Sequence, residues 1–138
     1  MRATVHRAQL LACCVLLVAA GVAPARPPEK PADAIAALAG ALSDGDAGAF
    51  LARVDEHAPG YAELARNVRA LVALGPAASS VDPVEDKGDA ERRSMRLNWI
   101  LDIRGSRRRA TILCDLERRG DKWHVTRLEP VAFFSSQQ

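Results

Sequence analysis

Three segments read together decide the fold: ERRSMRLNWILDIR at 91–104, RRRATILCDLER at 107–118 and KWHVTRLEPVAFF at 122–134. Each alternates apolar and polar residues with the period of a half-buried strand. Gly105-Ser106 and Gly120-Asp121 join them as the turns of an antiparallel meander. A Gly-Ser loop predicts a type II′ turn, because Gly105 supplies the positive φ needed at its first central position. That turn pairs Arg104 with Arg107. Met95, Leu97, Trp99 and Leu101 then face Leu116, Cys114, Ile112 and Ala110 on one side of the sheet. Asp102 meets Arg109 and Arg96 meets Asp115 on the other. A slip of one residue would mix the two sets.

The same reading of the second turn puts Leu116 opposite Val125, Cys114 opposite Arg127 and Ile112 opposite Glu129. Arg127 and Glu129 are then expected on the apolar side. A charge there needs a partner, so the two would satisfy each other or a polar ligand. Ile100, Leu113 and Leu128 are expected on the opposite face. A connected apolar patch on a sheet marks an interface, and a homodimer through that outer face is predicted.

The chain ahead of the meander reads as helices. Pro31 to Leu42 carries Ile35, Leu38 and Leu42 on one stripe, with proline tolerated in the first turn. Asp46 is a suitable N-cap for a second helix from Ala47 to about Glu56, with Phe50, Leu51 and Val54 inward. Tyr61 to about Leu74 places Leu64, Val68, Leu71 and Val72 on one face before Gly75-Pro76 stops it. Ala77 to Ala90 is polar and reads as a short edge strand, since Pro83 cannot donate from a central one. Helices followed by an antiparallel meander make an α+β domain, with helices covering one sheet face.

The first residues have the form of a secretory signal. Arg2 and Arg7 precede the apolar run Leu10–Val22, and Ala23-Pro24-Ala25 offers a small-x-small cleavage site. The apolar region runs well past Cys13, which argues against a lipidated cysteine there. The predicted organisation is a leader at 1–25, a flexible, proline-rich lead-in at 26–30, one domain at 31–134 and a tail at 135–138. Cleavage would remove two arginines and no acids, so 17 basic residues would face 17 acidic ones. A neutral exported domain gives no electrostatic case for nucleic acid. It also has no second apolar run for a membrane after processing. Cys114 would be the one cysteine left, without a disulfide partner.

Ser43-Asp44-Gly45-Asp46-Ala47-Gly48-Ala49-Phe50 and Gly120-Asp121-Lys122-Trp123-His124-Val125 give the chain a resemblance to the nuclear transport factor 2-like superfamily. It resembles that superfamily's "GD…A-F" helix junction and "G-x-W-x-V" late strand, from about Pro31 to Phe134. The resemblance implies a curved sheet wrapped round helices, a pocket in the mouth of the cone, and frequent dimerisation through the outer sheet face. The superfamily's enzymes, among them ketosteroid isomerases and polyketide-cyclase-like proteins, use Asp, Tyr or His in that pocket. No motif here transfers such a residue by position.

Three functions follow as expectations. The first is a non-enzymatic exported domain holding a small apolar or amphipathic ligand, or a partner protein, with Tyr61, Trp99, Cys114, Arg127 and Glu129 around the pocket. The second is an isomerase-, dehydratase- or cyclase-like enzyme using Glu129 as a buried acid near Tyr61, which would need a raised carboxyl pKa. The third is an assembly domain with a filled cone. Cys114 reads as a small core hydrophobe. His57 and His124 lack metal-ligand spacing to any cysteine or carboxylate, and no cofactor motif is present. Arg107-Arg108-Arg109 and Arg118-Arg119 flank opposite ends of one strand and read as a solvated, salt-paired face.

Overall fold

A computed structural model of the chain describes Gly21 and residues 27–137. The leader reading and its cleavage site fall, Gly21 apart, outside the described residues. The element order is α1 (Pro31–Ser43), α2 (Ala47–Ala52), α3 (Tyr61–Ala73), β1 (Ala77–Gly88), β2 (Arg92–Ile103), β3 (Ser106–Arg119), β4 (Lys122–Glu129) and a 3₁₀ turn, Val131–Phe134. The four strands form one antiparallel sheet in sequence order.

Local chemistry explains the helix ends. Lys30 N–H donates to the Asp33 carboxylate at the start of α1 (3.1 Å), and Ala49 N–H donates to Asp46 Oδ1 at the start of α2 (2.9 Å). These bonds satisfy donors that a first helical turn leaves open. α2 is shorter than the sequence predicts because the chain leaves it to pair with β4. Val125 N–H donates to the Arg53 carbonyl, and Asp55 N–H donates to the Val125 carbonyl, both at 2.8 Å. That parallel bridge covers part of the β4 edge, where bare backbone would otherwise face water.

The first hairpin turns one residue earlier than predicted. Ile103 pairs with Ser106, and the loop is Arg104-Gly105 with φ of 54° and 79°. Two positive φ values are the type I′ pattern, whose twist matches that of the strands it joins. Each cross-strand partner therefore moves by two: Met95 meets Cys114, Leu97 meets Ile112 and Trp99 meets Ala110. An even shift keeps every side chain on its predicted face. The ion pairs do change. Asp102 lies by Arg107 (3.7 Å) and Arg96 by Glu85 (3.1 Å), while Asp115 accepts from Ser94 Oγ (2.8 Å).

The second hairpin follows the predicted pairing from Arg119–Lys122 to Leu116–Val125 and then departs from it. Thr126 is an extra residue on β4, so Asp115 pairs with Arg127, Cys114 with Leu128 and Leu113 with Glu129. This β-bulge reverses the face of every later β4 residue. β1 carries a similar bulge between Pro83 and Glu85 and is a full edge strand of 12 residues. Its end needs Gly88: at φ 139° the backbone passes so close to the Arg92 carbonyl that a Cβ would lie 2.1 Å from that oxygen.

The helices cover the inner sheet face. Ile35, Leu38, Leu42, Leu64, Val68 and Leu71 from the helices meet Leu97, Trp99, Leu101, Ile112 and Leu116 from the sheet, all essentially inaccessible to water. After β4 a cis Glu129–Pro130 bond leads into the 3₁₀ turn. The strand expected to run to 134 therefore ends at Glu129, and Phe133 and Phe134 fold inward to join the core. No described helix is long and apolar enough to cross a membrane.

Candidate functional site

The expected cone interior is filled by the 3₁₀ turn Val131–Phe134. The Phe134 ring meets Trp99 edge-to-face (centroids 5.0 Å apart), Phe50 at 5.6 Å and Phe133 at 5.2 Å. Trp99 Nε1–H donates to Ser79 Oγ (2.9 Å), so the indole sits in the core with no polar group unsatisfied. The Arg108 guanidinium holds the plug. It donates to the carbonyls of Phe133 (2.9 Å) and Ser135 (2.6 Å). Asn67 Nδ2 adds a bond to the Val131 carbonyl (3.0 Å) from α3.

The five residues expected around a ligand do not converge. Trp99 and Cys114 are on the inner face with no exposed surface. Burial pushes the Cys114 thiol far above its ordinary range, the neighbouring Asp115 charge adding to the effect, which leaves it an inert core group. Tyr61 is half-buried at the first residue of α3, packed against the core from the helix side. Arg127 and Glu129 are corrected to the outer face. The bulge at Thr126 turns them outward, where they pair with each other (2.9 Å) across the sheet from Tyr61. The same bulge corrects Leu128 in the other direction. It is 1% exposed and belongs to the core, so of the expected outer patch Ile100 and Leu113 remain, set apart by the Asn98–Thr111 pair.

The arginine tracts divide in the same way. Arg107 pairs with Asp102 and Arg119 with Asp55 and Glu117. Arg109 stays exposed, with no carboxylate in reach among the described residues. Arg108 and Arg118 alternate onto the inner face instead, contrary to the solvated face expected for both tracts.

Two open grooves flank the β1–β2 turn. One, of about 570 Å³, lies where Ser94, Asp115 and Thr126 meet, between Lys87, Arg92 and Glu117. The other, of about 600 Å³, lies under the lead-in, between Pro27, Pro28 and Pro31 on one side and Ala90, Arg93 and Arg118 on the other, with Trp123 among its lining. Glu29 fastens the lead-in there. Its N–H donates to the Asp121 carbonyl (3.1 Å), and its carboxylate accepts from Trp123 N–H (3.0 Å) and the Arg53 guanidinium. Its carbonyl accepts from the Trp123 indole N–H (3.0 Å). Beside it Arg93 binds Asp86 through Nε and a terminal nitrogen, both at 2.8 Å. Asp89 accepts from Glu91 and Arg92 N–H, bonds that hold its pKa below the usual carboxylate value.

The sequence reading missed this second groove. The signal was present: Arg93 and Arg118 share the strand parity of Met95 and Leu116, so their stems had to start from the inner face. Among the described residues no three His, Cys, Asp or Glu side chains are placed to hold a metal ion.

A helical layer closing one face of a four-strand antiparallel meander defines an α+β domain of the cone type. No family model matches the chain, and no curated protein matches it by sequence. Solved structures do match its shape. A nuclear transport factor 2-like protein of unknown function from Shewanella oneidensis superposes with a TM-score of 0.54 at 16% identity, over 72% of this chain and 97% of that one. A nuclear transport factor 2-like protein with a cystatin-like fold from Novosphingobium aromaticivorans gives 0.52 at 18% identity, over 70% and 75%. A protein of unknown function from Mycobacterium tuberculosis gives 0.58 at 9% identity over 69% of this chain, which spans 64% of that protein. The chain has the nuclear transport factor 2-like fold, as its helix junction and late strand imply.

Proposed function

We propose that this is an exported, non-enzymatic assembly domain. Its cone is closed by the Val131–Phe134 turn, and it pairs with a second copy through the outer sheet face. The observation that carries this reading is the full burial of Phe134 against Trp99 and Phe50. A cone packed this way stabilises the domain and leaves the surfaces to do the work. Leu113, 37% exposed, and half-buried Ile100 lie on the outer face among alternating charges, where Arg127–Glu129 and Arg96–Glu85 are self-paired. Paired charges cost less to cover than lone ones, and they suit the polar rim of an interface. Export rests on the basic, apolar and small-x-small order of residues 2–25. Glu129, on the outer face and paired with Arg127, is not the buried acid that the enzyme reading needs.

Sedimentation equilibrium across the micromolar range tests the pairing. A concentration-dependent dimer that Leu113→Glu abolishes is expected. Monomer alone at high micromolar concentration overturns the proposal.

A further inference from the structure

We propose that the groove under the N-terminal lead-in binds a small amphipathic carboxylate, with its tail along the proline wall and its head on Arg118. This goes beyond the assembly reading and is independent of it.

The argument begins with the charges around the groove. Three carboxylates line it and each is already matched: Glu29 by Arg53 and Trp123 N–H, Asp86 by Arg93, and Asp89 by two backbone N–H groups. Arg118 is different. Its Nε donates to the Gly120 carbonyl at 3.0 Å, and no carboxylate among the described residues is within ion-pair reach of its terminal nitrogens. It is half-buried on the inner sheet face, cross-strand from Trp123. A guanidinium with its forked edge unused matches a carboxylate in two-point geometry. Lys30, on the same groove, also has no carboxylate partner among the described residues and adds positive charge.

The rest of the groove is apolar and fixed. Pro27, Pro28 and Pro31 form one wall and Ala90 lies opposite. The bonds of Glu29 to Asp121 and Trp123 hold the proline wall in place before any ligand arrives. A preformed site loses less on binding than one that must be ordered. Its volume of about 600 Å³, open to solvent along the groove, has room for a short chain. An apolar tail and one anionic head fit this combination, whereas a cationic head would meet Arg118 unfavourably.

Octanoate titrated into the purified protein is the test, followed by two-dimensional NMR at the Trp123 indole N–H. One saturable site is expected, shifting that resonance, with octyltrimethylammonium inert. Arg118→Gln should weaken octanoate about tenfold or more, the loss of a charged two-point contact. Arg118→Lys should give an intermediate loss, and Arg109→Gln, on the outer face, should leave binding unchanged. Octanoate affinity in the folded Arg118→Gln variant equal to that of the parent protein overturns the proposal. So does absence of saturable binding, or a shift confined to outer-face residues. Arg118-dependent co-flotation with phosphatidylglycerol vesicles, with no binding of monomeric octanoate, would also overturn it in favour of a lipid surface.

Discussion

The rings of Trp99 and Phe134 meet at 87°, centroids 5.0 Å apart, and neither side chain has surface exposed to water. One comes from the middle of β2 and the other from the 3₁₀ turn after β4, so this contact ties that turn to the sheet. Phe134→Ala would leave a cavity walled by Trp99, Phe50 and Phe133. The expected cost is ~3–5 kcal/mol of unfolding free energy, read from a urea or guanidinium transition. A loss of only a few tenths would mean that the ring is not part of the core.

The bulge at Thr126 makes an opposed pair of predictions for adjacent residues. Leu128→Ala removes a side chain that is 1% exposed and should cost ~2–5 kcal/mol. Arg127→Met, on the exposed face, should stay within about 0.5 kcal/mol of the parent protein. A smaller loss for Leu128→Ala than for Arg127→Met would place the strand in the unbulged register.

Acid sensitivity should involve Asp55. The Arg119 guanidinium first, then the His57 backbone N–H, hold its carboxyl below the ordinary carboxylate value. A folded-state pKa below the unfolded one stabilises the fold above the unfolded value, near pH 4, and that contribution fades as pH falls through the folded value. Glu85, lowered by Lys87, and Asp89 act in the same direction. Unfolding midpoints from pH 6 down to pH 2 should therefore fall, and Asp55→Asn should flatten part of that slope. An unchanged slope in the variant would remove Asp55 from the account.

Much of this was legible in the letters because the apolar period is strong. Helix starts at Pro31, Ala47 and Tyr61 and the inward set Met95, Leu97, Trp99 and Leu101 follow from spacing and caps alone. The first turn was misread because Gly-Ser is the conventional pair, whereas the chain uses Arg104 at φ 54°, a conformation uncommon for a non-glycine residue. The error did little harm, since a displacement of two keeps the faces. The Thr126 bulge did more. It carries no Gly or Pro to announce it, and it moved Arg127, Glu129 and Leu128 across the sheet together. Its trace in the sequence is the spacing Trp123, Val125, Leu128, in which the apolar step of two becomes a step of three. Pro130 likewise marked the end of β4, where the reading carried the strand on to Phe134.

Arg93 and Arg118 were harder to find. Parity assigns them inward, but only the folded lead-in, pinned through Glu29, gives them a groove to line. Contacts between residues so far apart in sequence leave no local pattern to read.

The filled cone is tested most directly by the reactivity of Cys114, which lies on its inner wall. In a chain carrying Cys13→Ser and Cys14→Ser, it is the one remaining thiol. A thiol reagent should label it at least about a thousandfold more slowly in native buffer than in denaturant, because access requires unfolding. Rapid labelling of the folded protein would mean an open cone and would contradict the account.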